Sequence, residues 1–244
     1  MFEFQMTNLL WIVVINFLAA FLQASVGFGY GILAMALMPL VLPMRLCSAI
    51  SAITVVAIGL QMVAILHKNL SLRTVLVPVL CCLLTIPLGM YILMHNSERM
   101  LRIILAVFIL LLTVYFIISQ KHRLVIKKSL KNAVLFGLVT GISTGMFNIV
   151  GPFFMIYYFS ICDDHLNFKA NIEFSFIIAG LYSTLLHYLY GNITLDAAPY
   201  IVSASAAAIA AGFLGLYFFR RLDREKICKI IYVALPVMAF LLIK

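Results

Sequence analysis

The sequence predicts an all-α integral membrane protein: two repeats of about four apolar segments each, in inverted topology, with the first segment of each repeat broken into a glycine-rich helical hairpin. Three observations carry that expectation. The chain of 244 residues is 65% hydrophobic and 10% charged, with a mean hydropathy of +1.16, more apolar surface than one soluble core can hide. Its apolar runs have the length that about 30 Å of hydrocarbon requires, about 20 residues each. The chain also resembles itself at an offset near 120.

In chain order, the first block, 7–43, is too long and too interrupted for one straight helix. Its helical pattern stops at Gln23-Ala24-Ser25-Val26-Gly27-Phe28-Gly29-Tyr30-Gly31 and resumes as ILAMALMPLVLP. Alternating glycines allow backbone angles that other residues avoid, so the chain turns and leaves N–H groups without helical partners. Spans over 45–66, 72–94 and 99–119 follow, with Pro78 and Pro87 expected to kink the second. A basic stretch, 121–131, separates the halves. Block 132–162 repeats the plan of the first: Gly141-Ile142-Ser143-Thr144-Gly145-Met146-Phe147-Asn148-Ile149-Val150-Gly151-Pro152, then FFMIYYFS. Pro152 suits a first helical turn, where its missing donor costs nothing. Spans over 166–190, 195–219 and 226–243 complete the chain, with Pro236 expected to kink the last. The start, MFEFQMTNLLWIVV, carries Glu3 where a signal peptide has a basic region, so the first segment is expected to be retained.

The repeat is ordered. At an offset of 120, Gly31 meets Gly151, Leu46 meets Leu166 and His67 meets His187; at 123, Asn69 to Leu72 fall on Asn192 to Leu195; at 126, Leu88, Gly89 and Tyr91 match Leu214, Gly215 and Tyr217. The expected organisation is a first transmembrane repeat over 1–120, a basic cytoplasmic linker over 121–131 and a second repeat over 132–244. Lys and Arg counts orient it. If each broken block crosses once, the 17 basic residues divide almost evenly; if each enters and returns, they divide 13 against 4, the four being Arg45, Arg99, Arg102 and Lys244. The hairpin arrangement restores the bias of a membrane protein, with loops 121–131 and 220–229 cytoplasmic, both termini outside and the halves inverted. The expected location is the plasma or inner membrane.

Inverted repeats are a recurring plan of secondary transporters, with the site at the midplane where broken helices meet. Each resumed half-helix turns its positive N-terminal end toward the break, so the natural ligand is a small anion. Candidate binding residues are Gln23, Ser25, Gly27, Gly29 and Gly31 in the first block and Ser143, Thr144, Gly145, Asn148, Gly151 and Pro152 in the second, the short polar side chains donating to a carboxylate, sulfite or sulfonate oxygen. The competing explanation is that glycine and serine only let helices pack closely in lipid.

At these residues, VGFGYGILAMALMPLVLP and GISTGMFNIVGPFFMIYYF, with LGMY and LGLY on the same plan, the chain resembles the TauE/SafE sulfite-exporter family of membrane permeases over nearly its whole length. It departs in placing Tyr30 within the glycine run and Phe147-Asn148 where glycines would stand. The resemblance implies transport of sulfite or another small sulfur-containing or organic anion, commonly as export.

Ionisable groups inside apolar runs invite explanation, since a central one costs at least about 2.5 kcal/mol on insertion scales. Glu173 is a candidate for coupling to a proton, or for a simple i, i+4 ion pair with Lys169 near the membrane surface. His187 is a second candidate proton carrier on the same helix, or a group meeting headgroup water. Asn171 and Gln61 either line a path or bond across helices. Asp163 and Asp164 fall in a loop. The five cysteines, Cys47, Cys81, Cys82, Cys162 and Cys228, are scattered and read as packing residues, with no metal-ligand spacing and no cofactor implied.

The net charge of +9 sits between apolar segments, which argues against nucleic acid as the partner and for lipid, a small anion and a proton or ion gradient, with homo-oligomers open. No HExxH, GxSxG or CxxC appears, so an enzyme is not expected. An anion channel, or a membrane-embedded structural subunit without transport, are the alternatives.

Overall fold

The computed structural model describes residues 6–121, 126–162, 164–218 and 235–242. Expectations that rest on the termini, on the 220–229 loop, on Asp163 and on Cys228 lie outside these residues. Among the described residues the chain is helical, without strands: α1 (Met6–Val26), α2 (Tyr30–Leu37), α3 (Met44–Leu66), α4 (Leu72–His95), α5 (Glu98–Lys121), α6 (Leu130–Phe147), α7 (Gly151–Ile161), α8 (His165–Leu189), α9 (Ala198–Phe218) and a helical segment over 235–242. Seven of these helices are long and apolar enough to cross a membrane; Tyr30–Leu40, which is α2 plus one 3-10 turn, and Gly151–Ile161 are not.

Local chemistry sets the boundaries. Ser129 caps α6 by accepting the Asn132 amide at 3.2 Å, and Asp164 caps α8 by accepting the Leu166 amide at 3.0 Å. The break after α1 is shorter than the glycine run suggests: helix continues to Val26, Gly27 and Gly29 alone take positive φ (102° and 112°), and Gly31 is already inside α2. The break after α6 is shorter still. Gly141, Ser143, Thr144 and Gly145 are all helical, and the turn falls on Asn148, at φ 50° and ψ 34°. Its amide bonds the Thr144 carbonyl at 2.7 Å while the Ile149 amide reaches the Ser143 carbonyl at 3.4 Å, a left-handed (αL) helix end with asparagine in glycine's place. Despite Pro78 and Pro87, α4 is continuous over its 24 residues.

Helix pairing follows small residues. α4 and α6 run side by side in the same direction: a Cβ on Gly137, Gly141 or Gly145 would collide with the backbone of Pro78, Cys82 and Ile86 respectively. Thr85 reinforces the pair by donating to the Leu138 carbonyl at 2.7 Å. Likewise α1 lies on α9, where a Cβ on Gly215 would meet Ala24 and the Phe21 carbonyl. α3 and α8 cross the centre antiparallel: His187 and Ser48 meet at one end, while at the other Asn167 donates to the Asn69 carbonyl (2.7 Å) and Asn171 accepts the Ser71 amide (2.8 Å). Asn171 and Gln61, which donates to the Ile209 carbonyl at 3.2 Å, thus both bond across helices.

The distribution of polarity is that of a protein solvated by lipid. Leu76, Leu80, Leu84 and Leu88 form an exposed stripe along α4, whereas Asn16, Gln23, Ser51, Asn148, Lys169, Glu173 and His187 are buried in the interior. The chain is a multi-pass membrane protein.

Candidate functional site

The two breaks meet in the interior. A Cβ on Gly31 would lie 2.8 Å from the Asn148 carbonyl oxygen and 3.2 Å from the Ile149 Cα, so only glycine admits this approach of α2 to the second break. On the other side, a Cβ on Gly151 would lie 3.7 Å from the Phe28 Cβ and 3.8 Å from the Gly29 nitrogen, ordinary contact distances. Between them is a small cavity to which the breaks contribute Gln23, Gly29, Gly31, Asn148, Gly151 and Pro152. Ile32, Val55, Val150 and Phe176 close its apolar walls. The space open to a water's centre is about 10 Å³, the size that admits a single water molecule.

Both half-helices begin at this cavity. In α2 the first helical bond runs from the Leu33 amide to the Gly29 carbonyl (3.0 Å), so the amides of Tyr30, Gly31 and Ile32 precede it without helical acceptors. In α7 the first turn is Gly151, Pro152 and Phe153, with proline at a position that needs no donor. Two positive helix ends thus border one apolar-walled space.

Asn148 is the polar side chain that the second break contributes to the cavity. Its Nδ2 donates to the Ser51 hydroxyl at 3.2 Å and its Oδ1, buried, has no protein partner. Because a hydroxyl both donates and accepts, a half-turn of the carboxamide lets Ser51 donate to Oδ1 and turns the NH₂ toward the cavity. The Tyr30 hydroxyl donates to Asn16 Oδ1 at 2.6 Å, with Ser51 and Thr54 of α3 beside it. Tyr30, the departure within the glycine run, therefore ties α1, α2 and α3 behind the cavity.

Gln23 is the second polar wall. Its Nε2 donates to Glu173 Oε2 at 2.9 Å, while Glu173 Oε1 has no partner. Lys169 donates to the Ala24 carbonyl at 2.5 Å. Glu173 and Lys169 are both buried, 0% and 2% exposed, so both lie in the interior rather than near the membrane surface, and Lys169 is anchored to the end of α1. α8 enters the bundle with this charged turn because α1 ends there, leaving carbonyls that a cation satisfies.

Other candidates sit apart from the cavity. The Ser143 hydroxyl donates to the Ile149 carbonyl at 2.8 Å and that of Thr144 to Thr140 at 2.7 Å, both on the protein's own backbone. Gly145 packs on α4, Gly27 on Phe168, and Ser25 lies near Gly215 on the α9 side. His187 is 14 residues beyond Glu173, about 21 Å along α8 at 1.5 Å per residue. There its Nδ1 accepts from Asn192 (2.9 Å) and its Nε2 meets Ser48 (3.1 Å), a buried interhelical network rather than headgroup water. Ser51, Val55 and Phe176 were not legible as site residues. A signal existed for the first: Ser51 and Asn171 are both polar at the repeat offset of 120.

Comparison with known proteins supplies one match: the family model described as Sulfite exporter TauE/SafE matches residues 12–242. No curated protein and no solved structure matches the chain.

Proposed function

The chain belongs to the TauE/SafE sulfite-exporter family of membrane permeases, and from that premise we propose that it is a secondary transporter exporting a small anion, sulfite or an organosulfonate or a related sulfur-containing or carboxylate anion, through the cavity between its two breaks. The observation that carries the reading is the convergence of both half-helix N-termini on one buried space bordered by Gln23 and Asn148. In the proposed site the free amides of the α2 and α7 first turns and the Asn148 carboxamide hold the oxygens, with Gln23 completing the shell. Glycine at positions 29, 31 and 151 keeps side chains out of the way. Ser25, Gly27, Ser143 and Thr144 serve by shaping the breaks, and Gly145 by seating α6 on α4.

The inverted repeat belongs to the same proposal. It is supported by pairing that exchanges between halves: α4 packs on α6 as α9 packs on α1, and α3 packs on α8. It is supported also by direction, since α1 starts at the end of the bundle where Glu98 accepts the Met44 amide (2.7 Å), and α6 starts at the opposite end, where Asn69 meets Asn167. A cavity with room for about one water molecule favours a carrier, which must change shape to load, over an open channel.

The test is flux in proteoliposomes carrying the full chain, with sulfite and methanesulfonate as probes. Saturation and counterflow of labelled anion against unlabelled anion are expected. Flux that rises linearly without counterflow assigns a channel, and no flux of either anion removes the transport reading.

A further inference from the structure

Ser183 is a fully buried serine of α8 whose hydroxyl has no hydrogen-bond partner among the described residues. We propose that the anion travels between the cavity and one end of the bundle along the seam between α3 and α8, and that Ser48 and Ser183 are the donors that hold it on the way. The inference rests on the anion site proposed above and adds to it a route and a second set of binding residues.

The seam starts at the cavity wall, to which α3 contributes Val55 and α8 contributes Phe176. The two helices are antiparallel, so the end of the bundle where α3 begins and α8 ends is reached by descending α3 from Val55 and ascending α8 from Phe176. Seven residues along each path, about 10 Å at 1.5 Å per residue, stand Ser48 and Ser183. Contacts on either side settle which way Ser183 faces. A Cβ on Gly180 would lie 2.9 Å from the Val55 side chain and 3.2 Å from the Ala52 carbonyl, and His187 meets Ser48 at 3.1 Å. Ser183, three residues after Gly180 and four before His187, shares their face of α8, the one that packs on α3. Between the cavity and the two serines the seam is lined by the small residues Ser51, Ala52 and Gly180.

Small residues alone would mean only close packing. The hydroxyls carry the argument further. Elsewhere in the bundle a hydroxyl gives its proton to a backbone carbonyl: Thr113 to Ile109 at 2.8 Å, Thr140 to Phe136 at 2.6 Å and Ser160 to Ile156 at 2.9 Å. Ser48 and Ser183 do not. Nδ1 of His187 accepts from Asn192, so Nε2 carries the ring proton and donates to Ser48, which leaves the Ser48 O–H without an acceptor among the described residues. His187 is thus a positioning residue that keeps the Ser48 hydroxyl in the donor role. An unpaired buried hydroxyl costs about 1–3 kcal/mol, which alanine would avoid. An anion between the helices supplies the missing acceptor, and the two O–H groups supply the donors without which a buried charge is excluded. The route is continuous with the cavity, because Asn148 of the cavity wall bonds Ser51, which lies one turn from Ser48 on α3. At its far end Asn192 is half-buried in the turn after α8.

The test uses the full chain in proteoliposomes, with flux of methanesulfonate and sulfite as the readout. Ser183→Ala is expected to leave the melting temperature in detergent unchanged or raised, since it removes an unpaired group. Its flux at subsaturating anion is expected to fall about tenfold, the effect of one lost hydrogen bond to a charged ligand, and that of Ser48→Ala likewise. In a background without the native cysteines, Ser183→Cys is expected to react with the membrane-impermeant reagent 2-sulfonatoethyl methanethiosulfonate, itself a sulfonate, and to lose flux once modified. Saturating methanesulfonate is expected to slow that reaction, which a purely structural serine would not show. Thr113→Cys, a buried hydroxyl position on α5, is the control and is expected not to react. Undiminished flux in Ser183→Ala or Ser48→Ala, or a lowered melting temperature in Ser183→Ala, overturns the route and leaves the transport reading standing. So does a Ser183→Cys that fails to react, keeps its flux when modified or is not protected by methanesulfonate. Absence of flux for both anions in the native chain overturns both.

Discussion

Asn148 does two jobs at one position: its backbone makes the left-handed turn that ends α6, and its side chain borders the cavity. The two are separable. Asn148→Gly keeps the turn, since glycine adopts positive φ freely, and is expected to leave the melting temperature in detergent close to native while raising the KM for anion. Asn148→Ala is expected to lose roughly 1–2 kcal/mol of stability as well, because a Cβ is strained at that φ. Loss of stability in both variants with KM unchanged would leave Asn148 a purely structural cap. Gly31 and Gly151 occupy matching positions in the repeat but unequal space. Gly31→Ala places a methyl against the Asn148 carbonyl and is expected to abolish flux; Gly151→Ala has room and is expected to keep most of it, whereas Gly151→Leu fills the cavity and is expected to stop it. Equal effects of the two alanine substitutions would count against the asymmetric fit.

At the scale of elements, glycine proves to have two uses that the sequence presents alike. Gly27 and Gly29 supply positive φ, but Gly137, Gly141 and Gly145 are ordinary helix residues spaced one turn apart on the face of α6 that touches α4. The competing explanation of close packing is therefore right for α6 itself, and the break begins only after it. Gly141→Val is expected to push α4 and α6 apart at a cost of about 1–3 kcal/mol, read as a lowered melting temperature in detergent. Leu84→Ala on the lipid-facing stripe of α4, 75% exposed, serves as the near-neutral control. The spans 45–66, 72–94 and 99–119 were legible to within two residues of Met44–Leu66, Leu72–His95 and Glu98–Lys121, because an apolar run has little freedom in where it leaves lipid. The short, apolar α2 and α7 were legible as resumed helices for the complementary reason, that Gly29 and Pro152 mark their starts.

For the molecule as a whole, the proposed inversion predicts accessibility. Lys68→Cys and Lys128→Cys, in a background without the native cysteines, are expected to react with a membrane-impermeant maleimide from the cytoplasmic side only. Ser97→Cys and Thr194→Cys are expected to react from the opposite side only. All four positions are exposed and flank spanning helices. Reaction of Lys128→Cys and Thr194→Cys from the same side would mean that the second broken block crosses the membrane once, and would separate the two half-helix ends that the proposed site requires.

What the sequence determined alone was the solvent, the spans and the positions of the two breaks, because hydropathy, length and backbone permissiveness are properties of contiguous residues. Only the tertiary structure decided which polar groups share a space. Gln23 and Glu173 are 150 residues apart and touch; Glu173 and His187 lie on one helix and do not. Nothing local distinguishes the Ser143 hydroxyl, spent on the Ile149 carbonyl, from the Asn148 side chain bordering the cavity. That distinction arises from how α2, α3 and α8 close around the breaks, and contacts between distant segments leave no periodic trace in a single chain.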